Sequence, residues 1–109
     1  MKIKTAELTG AALDWVVAKC EGEEYRDRME WDGIGQDYPA HKYSTDWSQG
    51  GPIVERENIS PRSCGDGSWV ADWYFGDVRR VGPSPLIAAM RCYVAAKLGN
   101  EVEIPKGLT

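Results

Sequence analysis

Residues 82–99 read GPSPLIAAMRCYVAAKLG, and this stretch predicts the principal helix of the fold. Ser84 is suited to cap the helix, and Pro85 suits the first helical position because the N–H that proline lacks would be unpaired there. Gly99 supplies a natural end. Apolar side chains recur at helical spacing and predict a wide buried stripe: Leu86, Ile87, Met90, Tyr93, Val94 and Leu98.

A second apolar stripe, near the start of the chain, predicts another helix over residues 10–21. Thr9 can cap this helix and Gly22 can end it. The stripe consists of Leu13, Val16, Val17 and Cys20. A short strand is expected before the helix, over residues 3–5.

Alternating apolar residues between the two helices predict an antiparallel sheet. Residues 68–75 form the clearest strand, with Trp69, Ala71 and Trp73 on one face. Asp66-Gly67 just before it is a hairpin signal. Further strands are expected over residues 59–62, 78–81 and 102–104.

The middle of the chain is harder to interpret. Residues 43–52, YSTDWSQGGP, are dense in turn formers, and Pro52 suits the first turn of a short helix over residues 52–58. A strand over residues 53–57 is the alternative. Residues 23–40 look like an irregular connection, with one strand around residues 28–31 and with Trp31 and Tyr38 as anchors to the body.

These elements predict one small α+β domain, residues 1–109. A small antiparallel sheet packs against two main helices, and one short extra helix completes the fold. A chain of 109 residues can bury a core without disulfide or metal staples. The number of cysteines is odd, no C-x-x-C pair occurs, and we expect reduced thiols at Cys20, Cys64 and Cys92.

The charge balance argues against duplex DNA as a partner, and the pattern of apolar residues argues against a membrane. The net charge is −4, with 17 acidic against 13 basic residues, and the longest basic run is Arg79-Arg80. A basic face is the usual mark of duplex DNA binding, so duplex DNA is not expected as the main partner. No apolar run approaches the roughly 20 residues of a membrane span, and no signal peptide is evident. We therefore expect the bacterial cytosol and no membrane contact.

The sequence contains no recognisable catalytic set. His41 is the single histidine, and its polar loop suggests a solvent-facing side chain. Cysteine and histidine are too scattered for zinc, and no phosphate-binding glycine motif occurs. Turns and helix caps account for the aspartates. We expect no catalytic residue, no metal and no cofactor, and hence a protein that is not an enzyme.

Recognition is suggested by the aromatic residues and by two glycine-proline helix starts. The chain has five tryptophans and five tyrosines but one phenylalanine. Helix N-termini bind anions, and glycine lets a ligand approach the backbone. Ordinary helix capping is the plainer interpretation of each start. Arg79 and Arg80 could add positive charge. The predicted ligand-binding residues are Tyr43, Ser44, Trp47, Ser48, Gly50, Gly51 and Arg56.

Three blocks of sequence resemble the NinX-type proteins of tailed phages and prophages. They are LTGAALDW with AKCEG at residues 8–22, STDWSQGGPIVERE at residues 44–57, and GPSPLIAAMRCYV at residues 82–94. The resemblance implies a phage accessory protein acting in the host cytoplasm, and it supplies no chemistry. By analogy with phage counter-defence proteins, the ligand is expected to be a small nucleotide-like molecule, such as a host immune signal that the protein sequesters.

Two other functions remain open. A protein-binding module would dock on a host or phage protein through Trp31, Trp73 and Tyr74. A nuclease or hydrolase would need aspartates that converge on a metal. A homo-oligomer with binding pockets at its interface is compatible with either binding function.

Overall fold

Three helices and seven short strands form an α+β fold in residues 1–108, the part of the chain that the computed structural model describes. Thr109, the last residue of the predicted domain, lies outside the described residues. The helices are α1 (Gly10–Cys20), α2 (Trp47–Arg56) and α3 (Pro85–Leu98). The strands are β1 (Lys2–Lys4), β2 (Glu30–Trp31), β3 (Asp37–Tyr38), β4 (Ile59–Ser63), β5 (Trp69–Trp73), β6 (Arg79–Gly82) and β7 (Glu101–Glu103). The predicted α+β class is confirmed.

The strands pair in three small antiparallel sheets. The largest has the order β4-β5-β6, and in it Ala71 lies opposite Pro61 on one side and Arg80 on the other. The predicted hairpin signal is confirmed, because Asp66 Oδ1 accepts the N–H of Ser68 within the turn that joins β4 to β5. β1 pairs with β7 and so brings the two ends of the described chain together.

α3 packs across β4, β5 and β6 and also contacts α1 and α2. Its capping follows the prediction, since Ser84 Oγ accepts the N–H of Ile87 at 3.1 Å and Pro85 occupies the first turn. Within its stripe Leu86, Met90, Tyr93 and Val94 are buried, Ile87 is partly buried and Leu98 is exposed. The helix that the opening stretch predicts is therefore the centre of the core.

α2 begins at Trp47, so the prediction that it starts at Pro52 is wrong. Asp46 caps the helix, and its Oδ1 accepts the N–H of Ser48 at 2.9 Å and the hydroxyl at 2.7 Å. This carboxylate satisfies donors of the first turn and allows the helix to start five residues earlier. Pro52 consequently lies inside the helix, and the alternative strand over residues 53–57 is also wrong.

Gly50 lets α2 approach its neighbours closely. The residue is buried, and a Cβ there would overlap the carbonyl oxygen of Tyr43 and lie 2.7 Å from Leu86 Cδ1. Only glycine fits between the loop before α2 and the first turn of α3. This contact fixes the position of the first half of α2.

A polar cluster joins the ends of α1 and α2 to α3. Arg56 donates two hydrogen bonds to the carboxylate of Glu21, at 3.0 and 2.7 Å, and the Tyr93 hydroxyl donates to the same carboxylate. These bonds hold the pKa of Glu21 below its ordinary value of 4.5, and the bonds from Arg56 have the largest effect. The cluster therefore stabilises the fold while Glu21 is ionised.

The segment before α2 forms a β2–β3 hairpin, where the sequence suggested a largely irregular connection. The strand expected around residues 28–31 is present as β2. Trp31 and Tyr38, however, do not anchor the segment, because both side chains are exposed. The hairpin pairs only two residues on each strand, and every residue from 27 to 38 is exposed.

We predict that Gly50→Ala lowers the free energy of unfolding by about 1–3 kcal/mol, the usual cost of forcing a methyl group into a packed site. The measurement is chemical denaturation of both proteins. Gly51→Ala is the matched control, because a Cβ there would meet only Trp47 Cε3, at 3.6 Å. That change should leave stability equal or higher, since alanine favours a helix over glycine. Equal loss in both variants would contradict the packing argument.

We predict that Glu21→Gln lowers stability at pH 7 by about 1–2 kcal/mol, a modest value because Arg56 is half exposed. The pKa of Glu21 is depressed in the folded state, so its contribution is present above the unfolded value and disappears as the pH falls through the folded pKa. Wild type and variant should therefore converge in acid. Denaturation between pH 7 and pH 3, with the exposed Glu101→Gln as control, measures this; a difference that persists in acid would exclude the ionic origin.

Candidate functional site

Two of the predicted ligand-binding residues, Tyr43 and Ser44, are buried. The Tyr43 ring stacks on His41, with ring centroids 5.4 Å apart and planes 10° apart. Burial raises the pKa of Tyr43 to about 12. The N–H of Ser44 donates to Asp14 Oδ1 at 2.8 Å. Both residues hold the loop before α2 in place, and their side chains are not presented to solvent.

Asp14 is a buried carboxylate on α1 that the sequence did not single out. Desolvation raises its pKa, and the hydrogen bonds from Ser44 partly oppose that rise. Asp14 lies on the buried side of α1 among apolar residues. The apolar pattern did not identify it because a carboxylate is rarely buried there. Asp14 ties α1 to the start of α2 and thereby supports the site indirectly.

His41 is buried, so the prediction of a solvent-facing histidine is wrong. Its side chain is 4% exposed and is stacked between the rings of Tyr25 and Tyr43. Nδ1 accepts the N–H of Arg26 at 2.8 Å, which leaves Nε2 to carry the proton and donate to Glu23 at 3.1 Å. The imidazole therefore fastens the base of the β2–β3 hairpin.

The predicted anion site at the start of α2 is occupied by the chain itself. The Asp46 carboxylate lies where a phosphate would bind, and the N–H of Gly50 bonds to the Asp46 carbonyl at 2.9 Å. Because the helix begins at Trp47, Gly50 and Gly51 lie in its second turn and present no free helix start. The expectation that they cradle an anion is therefore wrong in this geometry.

The arginines expected to supply positive charge are also engaged. Arg56 is held by Glu21, as described above, and Arg79 Nε donates to Asp72 at 2.6 Å. Arg80 donates to the Asn100 side chain at 2.9 Å. Arg56 and Arg79 are thus paired with carboxylates, whereas the Asn100 partner of Arg80 is a neutral amide.

The second glycine-proline helix start has a structural use as well. A Cβ on Gly82 would lie 2.7 Å from the backbone nitrogen of Ala88, so this glycine permits the close packing of β6 on α3. A wide, shallow groove of about 550 Å³ lies nearby. Its one basic side chain, Arg91, donates to the carbonyls of Leu8 at 2.7 Å and Val81 at 2.9 Å.

The remaining predicted residues, Trp47, Ser48 and Gly51, lie at the surface or at its edge. Half of the Trp47 side chain is exposed (50%), and its ring borders Gly51. Gly51 in turn lines an open groove of about 300 Å³. We call this the α2 groove, and its lining residues are Gly51, Val54, Glu55, Asn58, Ile59, Ser60 and Tyr74.

The sequence did not indicate Asn58 and Ser60 as groove residues. Asn58 follows α2 with a φ of 52°, a left-handed conformation that asparagine tolerates better than most residues. This turn lets the Asn58 carbonyl accept the N–H of Tyr74 at 3.2 Å, which places Tyr74 beside the end of α2. Tyr74 was predicted only as a protein-docking residue, and its side chain is 78% exposed.

The described part of the chain gives little support for a metal site or a nucleophilic cysteine. Within residues 1–108 no three His, Cys, Asp or Glu side chains gather as metal ligands. Burial raises the pKa values of the Cys20 and Cys92 thiols to about 11, so both stay protonated and weakly nucleophilic at neutral pH. No helix within those residues is long and apolar enough to cross a membrane.

Comparison with known proteins identifies the family. The family model described as Bacteriophage P22, NinX matches residues 4–97. That range includes α1, α2, all of α3 except its last residue, Leu98, and all lining residues of the α2 groove. No curated protein shows a significant match to the chain. The chain therefore belongs to the NinX family of phage proteins, as the three sequence blocks had indicated.

Proposed function

We propose that this phage accessory protein is a non-enzymatic binder of a small nucleotide-like ligand, and that the α2 groove holds the ligand's planar base. The observation that carries the proposal is the half-exposed Trp47 ring beside Gly51 at the edge of this groove. In the host cytoplasm such a binder would sequester an immune signal without destroying it.

The size and lining of the α2 groove support this ligand class. A volume of about 300 Å³ lies at the lower end of the range for small-molecule sites. Exposed aromatic rings at Trp47 and Tyr74 provide surfaces on which a base can stack. Gly51 contributes no side chain, so a flat ligand can lie against the helix backbone.

The polar groups of the α2 groove match a base better than a phosphate. Glu55 and Asn58 are exposed and offer oxygens that accept hydrogen bonds from base N–H groups. Arg56 points its charge at Glu21, and no basic side chain lines the groove. We therefore propose that the base enters the groove and that any phosphates remain outside it, away from Glu55. Ser44, Ser48 and Arg56, which the sequence predicted as ligand-binding residues, therefore have no phosphate contact in this proposal.

A protein-binding module is the second candidate function, and the exposure of two predicted docking residues favours it. Trp31 is 67% exposed and Tyr74 is 78% exposed. Trp73, the third, is only partly exposed, and its ring contacts Phe75. Docking through Trp31 would use a surface separate from the α2 groove.

The ligand class can be tested by a thermal-shift screen of the purified protein. The panel contains adenosine, adenosine monophosphate, ADP-ribose, cyclic di-AMP, cyclic di-GMP and cyclic GMP-AMP. A compound present at about a hundred times its dissociation constant should stabilise the protein by about 2.7 kcal/mol. A clear rise in Tm with at least one compound is expected; a flat response to all six would count against the proposal.

We predict that Trp47→Ala weakens binding of the compound that responds by roughly 5- to 150-fold, because one base–aromatic stack is worth about 1–3 kcal/mol. Isothermal titration calorimetry measures the change. Trp31→Ala is the matched control, since it removes an exposed tryptophan on the β2–β3 hairpin, whereas Trp47 borders the groove residue Gly51. Equal affinity of Trp47→Ala and wild type would place the ligand elsewhere.

A further inference from the structure

Residues 27–38 project from the body of the protein as a hairpin, which we call the arm. It contains β2 and β3, and every residue of it is exposed. The Asp32 carboxylate shapes its tip by accepting the N–H groups of Ile34 and Gln36 at 2.9 and 3.1 Å. The arm is thus a formed hairpin with no packing of its own against the core.

The arm carries large apolar side chains that are exposed to water. Ile34 at the tip is 90% exposed, Trp31 is 67% exposed, and Met29 and Tyr38 are also exposed. Met29 lies just before β2, two residues from Trp31. An exposed apolar cluster of this kind is typical of a binding surface, and tryptophan is frequent among residues that dominate binding energy.

The charge of the arm is negative. It has four carboxylates, at Asp27, Glu30, Asp32 and Asp37, against the single guanidinium of Arg28. Arg28 pairs with Asp27 at 3.4 Å. Asp37 lies directly opposite Trp31 in the ladder. The exposed apolar residues are therefore accompanied by three carboxylates, Glu30, Asp32 and Asp37, that have no cationic partner within the described chain.

The base of the arm is held firmly. The backbone N–H of Arg26 donates to His41 Nδ1, and the backbone N–H of His41 donates to the Arg26 carbonyl at 2.9 Å. These two bonds join the segments that lead into and out of the arm. Arg26 Nε also donates to the Pro39 carbonyl at 3.0 Å. A two-stranded hairpin is only marginally stable alone, so these contacts at its base stabilise it.

We propose that the arm docks on a partner protein that offers an apolar groove with a basic rim. Trp31 and Ile34 enter the groove, and Glu30 and Asp37 face lysine or arginine side chains of the partner. A second copy of this chain is a poorer occupant, because both the arm and the whole chain carry net negative charge. This docking surface is independent of the α2 groove and does not require the proposed ligand.

The test uses the full-length protein with a photo-cross-linking amino acid at position 34 or, as control, at the exposed position 75. Each protein is irradiated in extracts of uninfected and of phage-infected host cells, and adducts are identified by mass spectrometry. An adduct specific to position 34 is expected. The captured protein is then purified, and its affinity for wild type and variants is measured.

Trp31→Ser should weaken that affinity by roughly tenfold or more, as expected of a residue that dominates an interface. Glu30→Lys with Asp37→Lys should weaken it comparably and reverse its dependence on salt, because like charges then face each other. The matched control Phe75→Ser changes another exposed aromatic residue, one outside the arm and the α2 groove, and should bind normally.

Three outcomes would overturn the proposal: no adduct specific to position 34 in either extract, an adduct only with a second copy of the chain, or undiminished affinity after charge reversal. The two functions can be told apart, because Trp31→Ser should bind the nucleotide-like compound normally while losing the partner.

Discussion

The approach of α2 to α3 depends on the missing side chain at Gly50. Because nothing projects from this residue, the helix lies against the Tyr43 carbonyl and the first turn of α3 at Leu86. Asp14 supports the same junction from α1 by holding the Ser44 N–H. With the inner side of α2 fixed in this way, Trp47 and Gly51 are left on the outer side, next to the groove. The position of the candidate site thus follows from a packing requirement several residues away.

The charged groups near this junction are engaged within the protein and leave little charge for a ligand. Asp46 occupies the start of α2, and Glu21 holds Arg56 at its other end. What remains accessible is aromatic: Trp47 and Tyr74 near the groove, and Trp31 on the arm. Such surfaces favour recognition by stacking and apolar contact over recognition of phosphate by cations. A binder for a base and a docking arm for a protein can coexist, since they use opposite kinds of surface, one recessed and one projecting.

The sequence predicted the α+β class, α1, α3 and the β4–β5 hairpin, because apolar spacing, Ser84 and Asp66-Gly67 are local signals. It failed where a local cap was overlooked and where distant contacts decide the outcome. Pro52 looked like a helix start, but the Asp46 cap lies earlier in the chain and overrides it. His41 looked exposed in its polar loop, yet Tyr25 and Tyr43 enclose it. For the site, Trp47 and Gly51 lie at the α2 groove, and their role as ligand-binding residues stays a prediction. The burial of Tyr43 and the pairing of Arg56 with Glu21 depend on residues that only the fold brings together.

NMR spectra of the ¹⁵N-labelled protein, recorded with and without each compound of the nucleoside and nucleotide panel, test the central claim most directly. The five tryptophan indole N–H groups give separate reporters along the chain. We predict that at least one compound shifts the Trp47 indole and the backbone signals of Gly51, Asn58, Ser60 and Tyr74 saturably, while Trp15 and Trp69 stay unchanged. Shifts confined to the groove beside Arg91, or no shift with any compound, would contradict a base-binding site on α2.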